Sequence, residues 1–402
     1  MAEEHDVALF TGTEGLKLEA WDRYDLTLDM MGPGSPWTVS LWHSEERRSA
    51  WNTLRAGLKL LDRMFWSIDG ATQINGRLET YDTKGSRAGA VMILSGRDMS
   101  GAAIDCDADP TLRLKGLPLD AALTALFAPL GIPVRIGANV DAARQVQSGT
   151  RRGPRNGGTS RRRHAVDQSH PQPGEKVWQL AETMVRRLGY MIWCAPDAEE
   201  GLAIVVDVPA FNQPAQYQFT RRRQGDRQWV GNILEGGESL NARDMPTGIN
   251  VYTHAPRGDA TSARQATLVP NAAIVERAIN RGFLIDPLPE QPRHVHAPRA
   301  RTLDAAGQEG ARLMSDSMAK FRTSPYTVQG HGQRNSTGEM RLYAVNSMAH
   351  VYDELCTDPE GRPLDEDMLI TQVHFSGSRS DGQFTQVTLI PKDSILLVPS
   401  AE

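Results

Sequence analysis

Strict alternation of apolar and polar side chains is the first pattern to emerge along the chain. In Tyr24-Asp-Leu-Thr-Leu-Asp-Met30 the residues Tyr24, Leu26, Leu28 and Met30 share one side, the period of two that marks a half-buried strand. Trp37-Thr-Val-Ser-Leu41 repeats it after the breaker Gly32-Pro-Gly-Ser-Pro36. Ile74 to Tyr81 and Ala90 to Leu94 predict two further strands, joined by a turn at Thr83-Lys-Gly-Ser86. Such a run of short strands points to an antiparallel sheet or small barrel. Trp51, Leu54, Leu58, Leu61 and Phe65 recur instead at three-four spacing, so a helix is expected between strands.

The texture changes between Leu117 and Val208. Leu119, Leu123, Leu126, Phe127 and Leu130 form an apolar stripe that stops at Gly131, and Ile132 to Ile136 follows as a strand. Val177, Leu180, Ala181, Met184 and Leu188 repeat the plan, with Gly189 as the stop and Tyr190 to Cys194 as the strand. Leu202 to Val208 adds another. Two helix-Gly-strand units predict a small α/β domain. Between them, Gln145 to Pro173 is rich in Gly, Ser and Pro and carries Arg151, Arg152, Arg155, Arg161, Arg162 and Arg163. It is expected to be a mobile loop, either solvated or gripping an acidic partner protein or phosphate. Strand signals return at Trp229, Asn250-Val-Tyr-Thr253, Thr327-Val-Gln329 and Leu342-Tyr-Ala-Val345. A Pro-rich piece ending in a helix with Leu313, Met314, Ser317, Met318 and Phe321 on one side interrupts them.

Composition narrows the function more than it names it. The 402 residues allow two to four domains, and 40% hydrophobic with 23% charged residues fit a folded chain. A net charge of −5 argues against non-specific nucleic-acid binding as the main task. No long apolar run predicts a membrane span, and the acidic start Met1-Ala-Glu-Glu-His-Asp6 does not read as a signal peptide, so folding in the cytoplasm is expected. Cys106, Cys194 and Cys356 are far apart and read as buried small hydrophobes.

Catalytic signatures are thin. Met31-Gly-Pro-Gly-Ser35 has the glycines of a phosphate loop, but Pro33 and Pro36 remove N–H donors. His294-Val-His296 puts two imidazoles on one face of a strand, as zinc needs, yet the flanking Pro292 and Pro298 suggest an extended surface loop. His350 and His374 lie among apolar residues and read as packed, hydrogen-bonded histidines. Asp365-Glu-Asp367 reads as solvated turn residues, and Gly377-Ser-Arg-Ser380 as a hairpin turn. No catalytic residue, metal ligand or cofactor is assigned. Paired carboxylates remain open as an alternative, because any Asp and Glu can converge in space.

Three stretches carry a resemblance: Leu94-Ser-Gly-Arg-Asp98 leading into Ile104-Asp-Cys-Asp107, then Leu342-Tyr-Ala-Val-Asn346, then Met368-Leu-Ile-Thr-Gln-Val-His-Phe375 with its Ser378-Arg-Ser-Asp-Gly382 turn. In this order they resemble the Mu-type baseplate hub proteins of contractile phage tails, over most of the chain. The resemblance implies a mainly β, α+β fold: two antiparallel β-barrels, an intervening α/β domain and an inserted helical and loop piece. The corresponding boundaries are 5–105, 106–215, 216–256 with 322–402, and 257–321 for the insert. It implies a homotrimer that adapts a hexameric tail tube to a trimeric central spike, within the virion baseplate, beside other baseplate proteins. DNA passage without specific nucleic-acid binding would follow. Gly96, Arg97, Asp98, Asp381 and Gly382 become candidates for barrel integrity. The chain departs from the pattern in the Trp51–Phe65 helix, the arginine-rich loop and a first strand lacking the common Gly-Trp step, departures that could mark a tailocin or related injection system. A hub-borne peptidoglycan hydrolase, or a carbohydrate-binding β protein using Trp37, Trp42 or Trp51, are the alternatives.

Overall fold

Period-two burial organises most of the molecule in the computed structural model. It describes residues 5–12, 17–18, 21–43, 48–86, 89–140, 171–197, 201–225, 228–253, 264–270, 272–282, 284–297, 303–335, 337–358, 360–392 and 394–395. The first part of the chain forms β1 (Val7–Thr11), β2 (Lys17–Leu18), β3 (Arg23–Asp29), β4 (Pro36–Trp42), α1 (Arg48–Gly57), β5 (Arg63–Ile68), β6 (Ala71–Ser86) and β7 (Gly89–Asp98). These strands are neighbours in the order β3-β4-β7-β6-β5-β1-β2, all antiparallel. Tyr24, Leu26, Leu28, Trp37 and Val39 are buried, as alternation requires.

The predicted helix is half right. It ends at Gly57, Leu60 and Leu61 are exposed, and Leu61 adopts φ +70°. Phe65 lies in β5, where Met64, Trp66 and Ile68 are the fully buried set. A short period-two strand had been masked by an accidental three-four series. Likewise Thr83–Ser86 is not a turn, because β6 continues to Ser86 and pairs with Gly89.

A second unit holds α2 (Ser100–Asp105), α3 (Leu119–Phe127), β8 (Val134–Ile136), α4 (Val177–Arg187), β9 (Met191–Ala195) and β10 (Ala203–Asp207). Its three strands are ordered β8-β10-β9, and both apolar helix stripes bury against them in a separate core. The arginine-rich segment up to residue 170 lies outside the described residues, Arg151, Arg152, Arg155, Arg161, Arg162 and Arg163 included.

The later strands are β11 (Tyr217–Gln224), β12 (Gln228–Gly231), β13 (Ile233–Gly236), β14 (Ser239–Leu240) and β15 (Gly248–Thr253). β16 (Arg264–Leu268), α5 (Ala272–Asn280), β17 (Pro292–His296) and α6 (Leu303–Phe321) form the inserted piece. β15 belongs with that piece rather than with the large sheet: it is the middle strand of a β16-β15-β17 sheet whose apolar side packs on α5 and α6 as a third core. His294 and His296 therefore sit in a strand, not a loop.

The chain ends with β18 (Arg322–Gln329), β19 (Gly332–Arg334), β20 (Met340–Leu342), β21 (Ser347–Thr357), β22 (Pro363–Ser378) and β23 (Gly382–Pro391). Only Leu342 of the predicted 342–345 strand is in a ladder. Tyr343 and Val345 are buried in the connection, and Asn346, at φ +55°, uses its amide to bridge Val208 O and Ala210 N–H. Among the described residues no sheet closes on itself. The two expected barrels are instead two strand groups fused into one 15-stranded sheet over a shared core.

Candidate assembly site at the junction of the strand groups

The fusion is made by β22. Its first part, Pro363 to Ile370, pairs with β21, and its second, Gln372 to Ser378, pairs with β3, while β23 covers its other edge. The ladder with β23 shifts between Ile370 and Gln372, the bulge at which one group hands over to the other. Gly377 faces Tyr24 in register, and a Cβ there would sit 2.5 Å from the phenol ring, so glycine is what lets the ring cross the strand.

A buried polar chain sits beneath that ring. The Tyr24 hydroxyl lies 2.5 Å from His331 Nε2, and His331 Nδ1 lies 3.0 Å from Thr385 Oγ1. Thr385 donates its own proton to Gly330 O. Its oxygen must therefore accept from His331 Nδ1–H, which leaves Nε2 to accept from Tyr24. His331 is fully buried, and burial first, then neighbouring His5, depresses its pKa to about 3. His5 stacks on His331, bonds Asp69 through Nδ1, and has its backbone N–H and C=O bridged by the Gln383 amide. Residues from β3, β23 and the segment before β1 thus meet in one network across the junction.

Gly96, Arg97 and Asp98 close β7. A Cβ on Gly96 would lie 1.9 Å from Arg77 O, so β6 and β7 approach as closely as they do because no side chain intervenes. Arg97 donates from Nε and Nη2 to Glu79 and from Nη2 to Asp105 at 2.5 Å. Those hydrogen bonds, Glu79 first, raise its pKa, while Asp105 is held low mainly by the Arg97 bond. Asp98 is buried, which raises its pKa, and it accepts from Ser35 N–H, Ser100 N–H and the Ser100 hydroxyl. Asp107 pairs with Lys176, so the Asp105/Asp107 couple is split between two cations. In the β22–β23 turn, Ser378 donates to Asp381, Asp381 N–H returns to Ser378, and Gly382 takes φ +87°.

Two buried arginines with carboxylate partners were not singled out from sequence. Arg221 makes a two-pronged bond to Asp353, at 2.8 and 2.6 Å, and Tyr326 also donates to Asp353. Burial opposes ionisation of Asp353, but the Arg221 bond outweighs it and holds the carboxyl low. Arg322 is buried between Glu238 and Glu366. A signal existed: Arg221 follows Tyr217 and Phe219 at period two, and Asp353 follows Ala349 and Val351, so both occupy the apolar face. Nearby, Trp229, Leu234 and Leu355 are about half exposed, with β12 forming one edge of the sheet.

Other sequence candidates resolve less compactly. His350 is 40% exposed beside Asp365 and Asp367, and His374 is partly exposed between Asp25 and Thr27, so both are hydrogen-bonded but neither is packed in the core. Asp365–Asp367 lies in β22, not in a turn. Cys106 is exposed, against expectation, while Cys194 is buried. Trp37 and Trp51 are buried and Trp42 is exposed, so the three do not line one aromatic site. His294 is stacked on Tyr252, and among the described residues no group of three His, Cys, Asp or Glu side chains is arranged to hold a metal.

No known protein family matches the sequence, and no curated protein does. Solved structures do. The tail protein from Neisseria meningitidis MC58 superposes with a TM-score of 0.70 at 19% identity, over 99% of each chain. The 43 kDa tail protein of prophage MuSo2 from Shewanella oneidensis gives 0.70 at 17%, over 98% of this chain and 100% of its own. The chain has the fold of a prophage tail protein. The tail-protein fold extends at lower similarity to prophage tail protein gp18 from Listeria monocytogenes EGD-e, with a TM-score of 0.54 and 11% identity over 97% and 96% of the two chains. In this tail-protein fold the network of Tyr24, His331, Thr385 and His5 occupies the seam between the strand groups.

Proposed function

We propose that this protein is a structural baseplate hub of a contractile tail: a homotrimeric ring that adapts a hexameric tail tube to a trimeric central spike. The observation carrying the proposal is the end-to-end likeness to prophage tail proteins, one of them from a Mu-named prophage. Each chain brings two strand groups locked together by β22, so three copies would offer six sheet units to a sixfold tube while keeping threefold symmetry below. The strand groups, open within one chain, would complete their barrels against neighbours by pairing sheet edges, which also protects those edges from aggregation. Gly96, Arg97 and Asp98 keep the first group in shape, and Asp381 and Gly382 keep the hairpin of the second. The arginine-rich segment would be a contact for partner proteins of the baseplate. The protein works by assembly rather than catalysis, is built in the host cytoplasm, and ends in the virion tail.

Native mass spectrometry of the purified chain, alone and with its tube and spike proteins, tests this reading. Trimers, and complexes of three hub chains with three spike chains, are the expected species. A chain that stays monomeric with both partners and is missing from purified tail particles refutes it.

A further inference from the structure

β17 carries the two imidazoles of His294-Val295-His296 on one side of the inserted sheet. Period two sends Val295 toward the core under α5 and α6 and leaves His294 and His296 exposed on the opposite face. β15 runs parallel alongside, with Asn250 opposite His294 and Tyr252 opposite His296. The Tyr252 ring crosses diagonally to stack on His294, with centroids 5.9 Å apart and planes 25° from parallel, and its hydroxyl lies 3.1 Å from His294 Nδ1. That bond engages Nδ1, so Nε2 is the nitrogen His294 offers to a ligand. Among the described positions of the three strands, the face shared by Asn250, Tyr252, Thr267, His294 and His296 holds no lysine or arginine to repel a cation.

We infer that His294 and His296 hold a divalent transition-metal ion of the zinc type. Zinc binds imidazole nitrogen at about 2.0–2.1 Å, and tetrahedral geometry sets two such nitrogens about 3.3 Å apart. Side chains two positions apart on a strand start about 6.6 Å apart, so each ring leans inward by roughly 1.7 Å, a small rotamer adjustment at an exposed surface. Either ring nitrogen of His296 can serve as its ligand atom. Tyr252 is a positioning residue. By accepting from His294 Nδ1–H it selects the tautomer whose Nε2 lone pair faces the ion, as outer-shell partners of metal-binding histidines do. Among the described residues no third His, Cys, Asp or Glu joins the pair, so water fills the remaining coordination positions. The site stands on β15 and β17 alone and asks nothing of the hub assembly.

Zinc chloride is titrated into the full chain while the imidazole nitrogen signals are followed by NMR. A saturable response of His294 and His296 is expected. Tyr252→Phe, which keeps the ring but loses the hydroxyl, should weaken binding about tenfold, the scale of a lost outer-shell partner. His294→Ala and His296→Ala should each weaken it further. The double variant H294A/H296A should lose the response at this strand, and its otherwise unchanged spectrum verifies that the fold persists. Magnesium, which prefers oxygen ligands, should leave both rings unmoved. A zinc response at His350, which stands between Asp365 and Asp367, with none at His294 would overturn the assignment. So would an equal response to magnesium, undiminished binding in either single alanine variant, or no saturation by about 1 mM zinc. Unaltered affinity in Tyr252→Phe would strike out the positioning role.

Discussion

Acid should loosen the junction of the strand groups through one side chain, His331. Its ordinary pKa of 6.5 falls to about 3 in the fold, so the folded protein keeps the ring neutral while the unfolded chain protonates it. Between those values the unfolded state holds the extra proton. Stability is therefore highest above about pH 6.5 and falls as pH drops, by about 1.4 kcal/mol per pH unit at full slope. The interval from 6.5 to about 3 sets a ceiling of about 5 kcal/mol, with about 3 kcal/mol already lost near pH 4.5. Amide hydrogen exchange in β3 and β23, corrected for intrinsic rates, reports this as local opening free energy, which suits a chain with three cores better than one global transition. Comparison with His331→Gln isolates the effect. Buried Asp98, whose raised pKa acts with the opposite sign, contributes equally to both proteins. The wild-type curve should fall away from the variant's as pH drops below 6.5. Parallel curves would refute the reasoning.

Gly96→Ala should cost about 3 kcal/mol, the upper end for overpacking, because the new methyl meets the Arg77 carbonyl rather than a movable side chain; exchange in β6 and β7 would detect it. Asp353→Asn should destabilise by about 3–5 kcal/mol by leaving Arg221 buried without its counter-charge, and Arg221→Met with Asp353→Leu should recover most of that in urea melts. By contrast Glu79→Gln should cost under about 1 kcal/mol, since the Arg97–Glu79 pair is about 30% exposed on both sides; a loss as large as that of Asp353→Asn would contradict the ranking. Gly377→Ala should expel the Tyr24 ring from the junction and quench the wild-type coupling between Tyr24 and His331, visible as a changed His331 titration.

Elements whose local pattern matched their burial were legible. The alternation in β3 and β4 and the stripes of α3 and α4 announced both structure and facing, because each buries one face in one core. The β5 region was misread since Trp51, Leu54, Leu58, Leu61 and Phe65 satisfy a helical series by coincidence, and the end of the helix at Gly57 was the overlooked cue. Placement of β15 could not be read locally: Ile249 and Val251 suit any sheet, and its partners lie in the insert. The seam network was equally hidden. Tyr24 and His331 are 307 residues apart, and nothing near either residue names the other. The buried arginines were within reach, since period two carries Arg221 and Arg322 onto apolar faces where a counter-charge must wait.

β22 has a mechanical consequence. At about 3.3 Å per residue its 16 residues span roughly 50 Å, longer than most strands of globular domains. A pull delivered to either end runs parallel to the strand, so the hydrogen bonds to β21, β3 and β23 are sheared together instead of peeled one by one. Tension on one lobe would therefore reach the other without a hinge, and the pair should travel as one rigid lever.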